Sequence, residues 1–375
     1  MSYYQLLPDP QMNFTLNRML TQGDEAAKLD EVTKITPQIK DLESWFKAWH
    51  ALAQIAELEG RHFHAAYYYR MAEFFLKDES PEKNATYHKC IQCFEKAFIH
   101  EPIERFKIPY ADTWLPAMRI ASAQQKAIIL VHGGYDSFIE EFYLTIKNHF
   151  RNKGYTIILF EGPGQGQALK NGLKFTEQWE KPVKAVLDYF KIDQAVLLGI
   201  SWGGYLAPRA AAFEPRIKQV IAYDCLYDGL DFMTNMMPSP VKQMFRLLVR
   251  INAKGIVNSI IARVRKKKLI IDWAISHGMY ITGTSSPFDF FKSLSRHTMQ
   301  CIAPRITQDV LLLAGAKDHF VPLEHFHKMI RSLVNIRSLS ARLFTEQEGG
   351  EQHCQVGNLH LALVEISTWL DKIYA

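Results

Sequence analysis

The chain has 375 residues, 48% hydrophobic and 22% charged, with a formal net charge of +5. Those proportions belong to a globular chain with a full core and exclude a disordered or collagen-like one. No stretch approaches 18 uninterrupted apolar residues, so no membrane span is expected. The positive charge forms no nucleic-acid motif, so no nucleic-acid partner is expected.

The first part, to about residue 105, reads as wholly helical. Its start, Met1 to Leu20, lacks the basic and apolar regions of a signal peptide. Trp45, Trp49, Leu52, Ile55 and Ala56 recur at spacings of three and four, which predicts a helix that Gly60 ends. A second helix carries Ala65, Tyr69, Ala72 and Phe75. A third follows Pro81, a residue suited to a first helical turn, and carries Tyr87, Cys90, Phe94 and Ala97. Cys90 and Cys93 form a C-x-x-C, but no second pair completes a zinc site, so both read as one helix face. Five sparse cysteines argue for a reducing compartment, and cytoplasmic placement is expected.

After Pro102 the pattern changes to strands. Phe106 to Tyr110 and Leu115 to Ile120 read as short strands. Ala127 to Val131, Tyr155 to Phe160, Ala195 to Gly199, Gln219 to Asp224, Val310 to Ala314 and Ala341 to Phe344 read as further strands, most of them separated by helical stretches. This alternation predicts an α/β fold, a mostly parallel sheet with helices on both faces. Residues 228–300 read as a helical insertion rich in Met and Phe. The expected division is a helical domain over 1–105 and an α/β domain over 106–375. The run Arg263 to Lys268 reads as a solvated helix face.

The chemistry concentrates at Gly199-Ile200-Ser201-Trp202-Gly203. A strand ending in G-x-S-x-G and leading into a helix is a nucleophile elbow, which aims a serine hydroxyl at a helix N-terminus. A serine hydroxyl needs a base, and the base an orienting acid, in the chain order Ser, acid, His. Asp318 directly follows a buried strand and is the expected acid, with Asp224 and Asp228 as alternatives. His353 follows the last strand in the polar loop Glu348 to Cys354 and is the expected base, ahead of His319, His325, His327 and His360. Two backbone N–H groups are expected to hold an oxyanion, those of Trp202 and Tyr135, with Gly134 the alternative to Tyr135. Glu161-Gly162-Pro163-Gly164-Gln165-Gly166 lacks the ending of a phosphate loop and reads as a structural turn.

These residues resemble an α/β-hydrolase over roughly 106–375. The helical start with Trp45-x-x-x-Trp49 and Ala56-Glu57-x-x-Gly60 narrows the resemblance. So do Gly133-Gly134-Tyr135-Asp136 with Glu140-Glu141, the Gly162 to Gly166 turn, and Glu351-x-His353-Cys354-Gln355. Together they are similar to the 2,6-dihydropseudooxynicotine hydrolase group, which includes fungal polyketide-shortening enzymes and is related to fermentation-respiration switch esterases. The resemblance implies a serine hydrolase of a C–C bond in a 1,3-diketone, polyketide or aromatic ketone. A carboxylesterase or acyltransferase on the same scaffold is the alternative, and a non-catalytic binding protein a third. The resemblance further implies a helical cap, a small aromatic or polyketide-like substrate, a homodimer, and an extra acid beside the triad, for which Asp228 and Asp231 are candidates. No organic cofactor and no metal are implied.

Overall fold

The computed structural model describes residues 3–101 and 103–375. It divides into two compact units. One holds the residues up to Ile103 with Ile261–Tyr280 and Val356–Leu359; the other holds Glu104–Ile260, Ile281–Gln355 and His360–Ala375.

The larger unit is built on one eight-stranded sheet. Its strands are β1 (Glu104–Tyr110), β2 (Thr113–Ile120), β3 (Ala127–His132), β4 (Tyr155–Phe160), β5 (Ala195–Ile200), β6 (Ile217–Tyr223), β7 (Asp309–Gly315) and β8 (Ser338–Phe344). They lie in the order β1-β2-β4-β3-β5-β6-β7-β8. β1 and β2 form an antiparallel hairpin, β2 runs antiparallel to β4, and all later pairs are parallel. Every residue of β4, β5 and β7 is buried. That is why these strands show as continuous apolar runs: helices cover both faces of a parallel sheet. β8 is one edge of the sheet and is largely exposed. It starts at Ser338, three residues before the apolar signal, because an edge strand keeps polar positions. The expected α/β fold is the observed one.

This order brings four pieces of the site together. β3, β5, β6 and β7 are neighbours, and their carboxyl ends lead into Gly133-Gly134, Ser201, Asp224 and the loop of Asp318. Ligands of open α/β sheets collect at that end.

The smaller unit is helical, with Pro10–Leu20, Leu29–Ile35, Leu42–Leu58, His62–Phe74 and Pro81–Ala97. Asp41 and Ser44 form a reciprocal capping box at the third of these helices. Ser80 caps the fifth, with Pro81 in its first turn. Trp45 and Trp49 are fully buried. The Trp45 indole donates to the Met71 carbonyl at 2.6 Å, and Trp49 packs against Tyr68 with ring centres 5.7 Å apart. The aromatic residues here are therefore mostly core.

A buried ion cluster also sits in this unit. Asp78 lies 3.0 Å from His277 Nδ1 and 3.6 Å from Lys83 Nζ. Burial alone would raise the Asp78 carboxyl, but His277 and then Lys83 outweigh it and hold the group down at about 2. A depressed carboxyl contributes stability above its unfolded value, and that contribution is lost as pH falls from about 4 to about 2. Asp78→Asn is therefore expected to cost about 2 kcal/mol at neutral pH. Denaturant unfolding at pH 7 and near pH 2 checks this: the difference from the parent should vanish at the lower pH.

Candidate active site

Ser201 sits at the tip of the turn after β5 with φ +62°. Its backbone N–H donates to the Tyr223 carbonyl at 2.5 Å, which pins the turn to the end of β6. A side chain cannot fit behind this turn. A Cβ on Gly204 would lie 1.4 Å from the Asp224 carbonyl oxygen, so the helix Gly203–Ala211 can start beside β6 only with glycine there. The left-handed φ on a serine is local strain held by the surrounding sheet.

His353 comes from the loop after β8. Cys354 and Gln355 both take left-handed backbone angles, φ 50° and 49°, and turn the chain back towards the strand ends. Ser201 Oγ lies 2.8 Å from His353 Nε2. On the other side of the ring, Nδ1–H faces two carboxylates: Asp318 Oδ2 at 2.6 Å and Asp224 Oδ2 at 3.0 Å. The second oxygen of Asp318 accepts the N–H groups of Phe320 and Val321 at 2.8 and 2.9 Å. Asp224 accepts the Cys354 N–H at 2.5 Å and the Gln355 side chain at 3.2 Å.

These partners set the protonation of the group. Burial would lower His353, but Asp318 above all, with Asp224, raises it well above an ordinary imidazole. Burial pushes Asp318 up to about 6, with the neighbouring Asp224 adding to the rise. Burial would raise Asp224 too, yet its bonds to His353 hold it down. Two buried carboxylates on one imidazole favour the charged ring.

The loop after β3 approaches the serine turn closely: a Cβ on Gly134 would lie 2.5 Å from the Trp202 amide nitrogen. Tyr135 and Trp202 stack, ring centres 5.5 Å apart. The Trp202 indole donates to His297 Nδ1 at 3.1 Å, and burial, pushing His297 down to about 3, keeps that ring neutral and able to accept.

Gln165, inside the turn that reads from sequence as purely structural, is the residue sequence reasoning missed. It is buried, and its Nε2 donates to the carbonyls of Gly133 and Gly134 at 2.8 and 2.9 Å. Its Oε1 accepts the Gly162 N–H at 2.9 Å. Glu161 ties the same two loops, accepting the N–H of Ile139 at 3.1 Å and of Gln167 at 2.6 Å. A polar residue flanked by glycines at a buried strand end was the available signal.

The two candidates for an extra acid are engaged with other partners. Asp228 caps the helix Gly229–Met233 and pairs with Arg246 at 3.1 Å. Asp231 pairs with Arg246 at 2.6 Å, Lys242 at 3.2 Å and His325 at 3.5 Å. Neither contacts Ser201, His353 or Asp318 among the described residues; the second carboxylate on His353 is Asp224. His360 lies on the closing helix Leu359–Ile373.

Aromatic rings surround the serine and histidine. Phe175 and Phe232 pack on Trp202, with ring centres 5.9 and 5.0 Å away, and Phe320 packs on His353 at 5.0 Å. Among the described residues one set of metal-ligand type is also present: ligand atoms of Asp224, His353 and Cys354 lie within 4.8 Å of one another. A hydroxyl bonded to an imidazole that carboxylates orient can be deprotonated as it attacks a carbonyl, and the imidazole can return the proton to a leaving group.

The family model for the alpha/beta hydrolase fold matches residues 126–249. Among curated proteins, the chain is 27% identical to Hydrolase LUC6 of Fusarium sp, over 99% of this chain and 98% of that protein. It is 28% identical to 20-hydroxy-prefusarin hydrolase FUS2 of Gibberella moniliformis, over 97% and 96%. Among solved structures, the 2,6-dihydroxy-pseudo-oxynicotine hydrolase superposes with a TM-score of 0.69 at 19% identity, covering 94% of each chain.

Proposed function

We propose that this chain, a hydrolase of the α/β-hydrolase fold, cleaves a carbon–carbon bond next to a carbonyl through an acyl-enzyme on Ser201. The observation that carries the reading is the continuous run of short contacts from Ser201 Oγ through His353 to Asp318, 2.8 Å and 2.6 Å. Ser201 Oγ attacks the carbonyl carbon while His353 Nε2 takes its proton. The backbone N–H groups of Tyr135 and Trp202 hold the oxyanion. Collapse breaks the carbon–carbon bond, and the enolate leaves with the proton from His353. Water, deprotonated by His353, then releases the acid and restores the serine.

The preference for a carbon–carbon bond rests on the resemblance of the helical start, Gly133 to Asp136 and Glu351 to Gln355. The rings of Tyr135, Phe175, Trp202, Phe232 and Phe320 support a flat, unsaturated substrate of aromatic or polyketide type, since aromatic faces pack best on one another. Cytoplasmic placement and a homodimer complete the reading. No disulfide joins the cysteines among the described residues, which suits a reducing compartment. No described helix is long and apolar enough to cross a membrane.

Turnover of an aryl 1,3-diketone and a matched aryl ester, with products identified by mass spectrometry, tests this. Diketone cleavage to an acid and a ketone is expected. Ester turnover alone would make the chain a carboxylesterase. Transfer of the acyl group to an added alcohol at the expense of hydrolysis would make it an acyltransferase.

Gln165 acts in this scheme as a positioning residue. By holding the Gly133 and Gly134 carbonyls it fixes the peptide planes that aim the Tyr135 N–H. Gln165→Leu keeps the volume and removes all three hydrogen bonds. Misplacing a donor by about 1 Å costs about 100-fold, so kcat should fall by that order while KM stays nearly constant. A rise in KM with kcat intact would assign Gln165 to substrate binding instead.

A further inference from the structure

We propose that Asp224, His353 and Cys354 form a site for a thiophilic divalent cation, Zn²⁺ foremost, whose occupation switches the hydrolase off. Their ligand atoms, a carboxylate oxygen, an imidazole nitrogen and a thiol sulfur, lie within 4.8 Å of one another. Tetrahedral zinc bonds of about 2.0–2.3 Å need ligand atoms about 3.5 Å apart, so small side-chain movements close the set. Asp224 Oδ2 and His353 Nδ1 are already at 3.0 Å. Asp318 Oδ2, 2.6 Å from the same nitrogen, is at hand for a fourth position. Asp224 and His353 are buried, and Cys354 is intermediate in exposure.

The donor types select the ion. Oxygen, nitrogen and sulfur together suit zinc or cadmium, whereas magnesium and calcium take oxygen sets. Binding releases the Cys354 thiol proton to solvent and displaces the proton on His353 Nδ1, which the neutral ring then carries on Nε2. The consequence follows from charge. With a dication on Nδ1, the ring cannot take a further proton at Nε2, so it cannot serve Ser201 as a base. This inhibition rests on the proposed role of His353, while the binding does not.

The experiment uses the full chain carrying Cys301→Ser, because Cys301 is an exposed thiol that would bind metal on its own account. Cadmium titration is followed by the ultraviolet thiolate-to-metal absorption, and zinc titration by competition with an indicator dye and by turnover. One ion per chain is expected, with loss of turnover over the same concentration range and recovery on adding EDTA. Adding Cys354→Ser should abolish the cadmium absorption. It should also raise the zinc concentration for half-inhibition at least tenfold, each variant being compared with its own metal-free rate. No thiolate absorption in the Cys301→Ser chain, or zinc inhibition unmoved by Cys354→Ser, overturns the site. Metal bound through Cys354 with turnover intact supports the site and overturns His353 as the base.

Discussion

Ser201→Ala is expected to lower kcat on the cleaved substrate by a factor on the order of 10⁶, leaving only the residual rate that binding and oxyanion donors supply. The size follows from what the mutation removes. Alanine loses the proposed nucleophile, so the proposed covalent route closes, and His353 has no proton to take. The fold should be unchanged, because the hydroxyl's contact is the one to His353 and the turn is held by the backbone bond to Tyr223 and by Gly204. Alanine also tolerates the left-handed φ about as badly as serine does, so the strain stays. Circular dichroism and ligand binding should match the parent while turnover and labelling by a fluorophosphonate disappear. Retained turnover in a correctly folded variant would end the nucleophile reading.

The strand ladder was legible because most of its strands are apolar runs bounded by turns, and a covered parallel strand has no polar face to obscure the run. Ser201, Asp318 and His353 were legible for another reason: each directly follows a strand or its loop, and strand order places those ends side by side. Asp224 was weighed only as a substitute for Asp318, because sequence order offers one acid per triad. Nothing linear shows that the ends of β6 and β7 deliver two carboxylates to one ring nitrogen. Asp228 and Asp231, the candidates for an extra acid that the resemblance implies, are instead ion-paired with Arg246 and Lys242. Gln165 was hidden because its partners are backbone carbonyls some thirty residues away, and carbonyls leave no mark in a sequence.

Asp318→Asn is expected to lower kcat by much less than the roughly 10⁴-fold seen when a triad has one orienting acid. Asp224 Oδ2 stays 3.0 Å from His353 Nδ1 and can hold the same tautomer. The double change Asp224→Asn with Asp318→Asn should bring the full loss of about 10⁴, far more than the two single changes multiplied together. The pH profile separates orientation from mere packing. Both carboxylates raise His353 above an ordinary imidazole, and only the unprotonated ring is a base. In the parent, kcat/KM should therefore climb with pH along a limb centred above about 6.5. Asp224→Asn removes one negative neighbour, lowers the ring's pKa and moves that limb to lower pH. A packing defect would lower the whole profile without moving it. If Asp318→Asn alone costs 10⁴-fold and Asp224→Asn leaves the limb in place, Asp224 has no part in setting the base, and its burial beside the ring serves only the turn at Cys354.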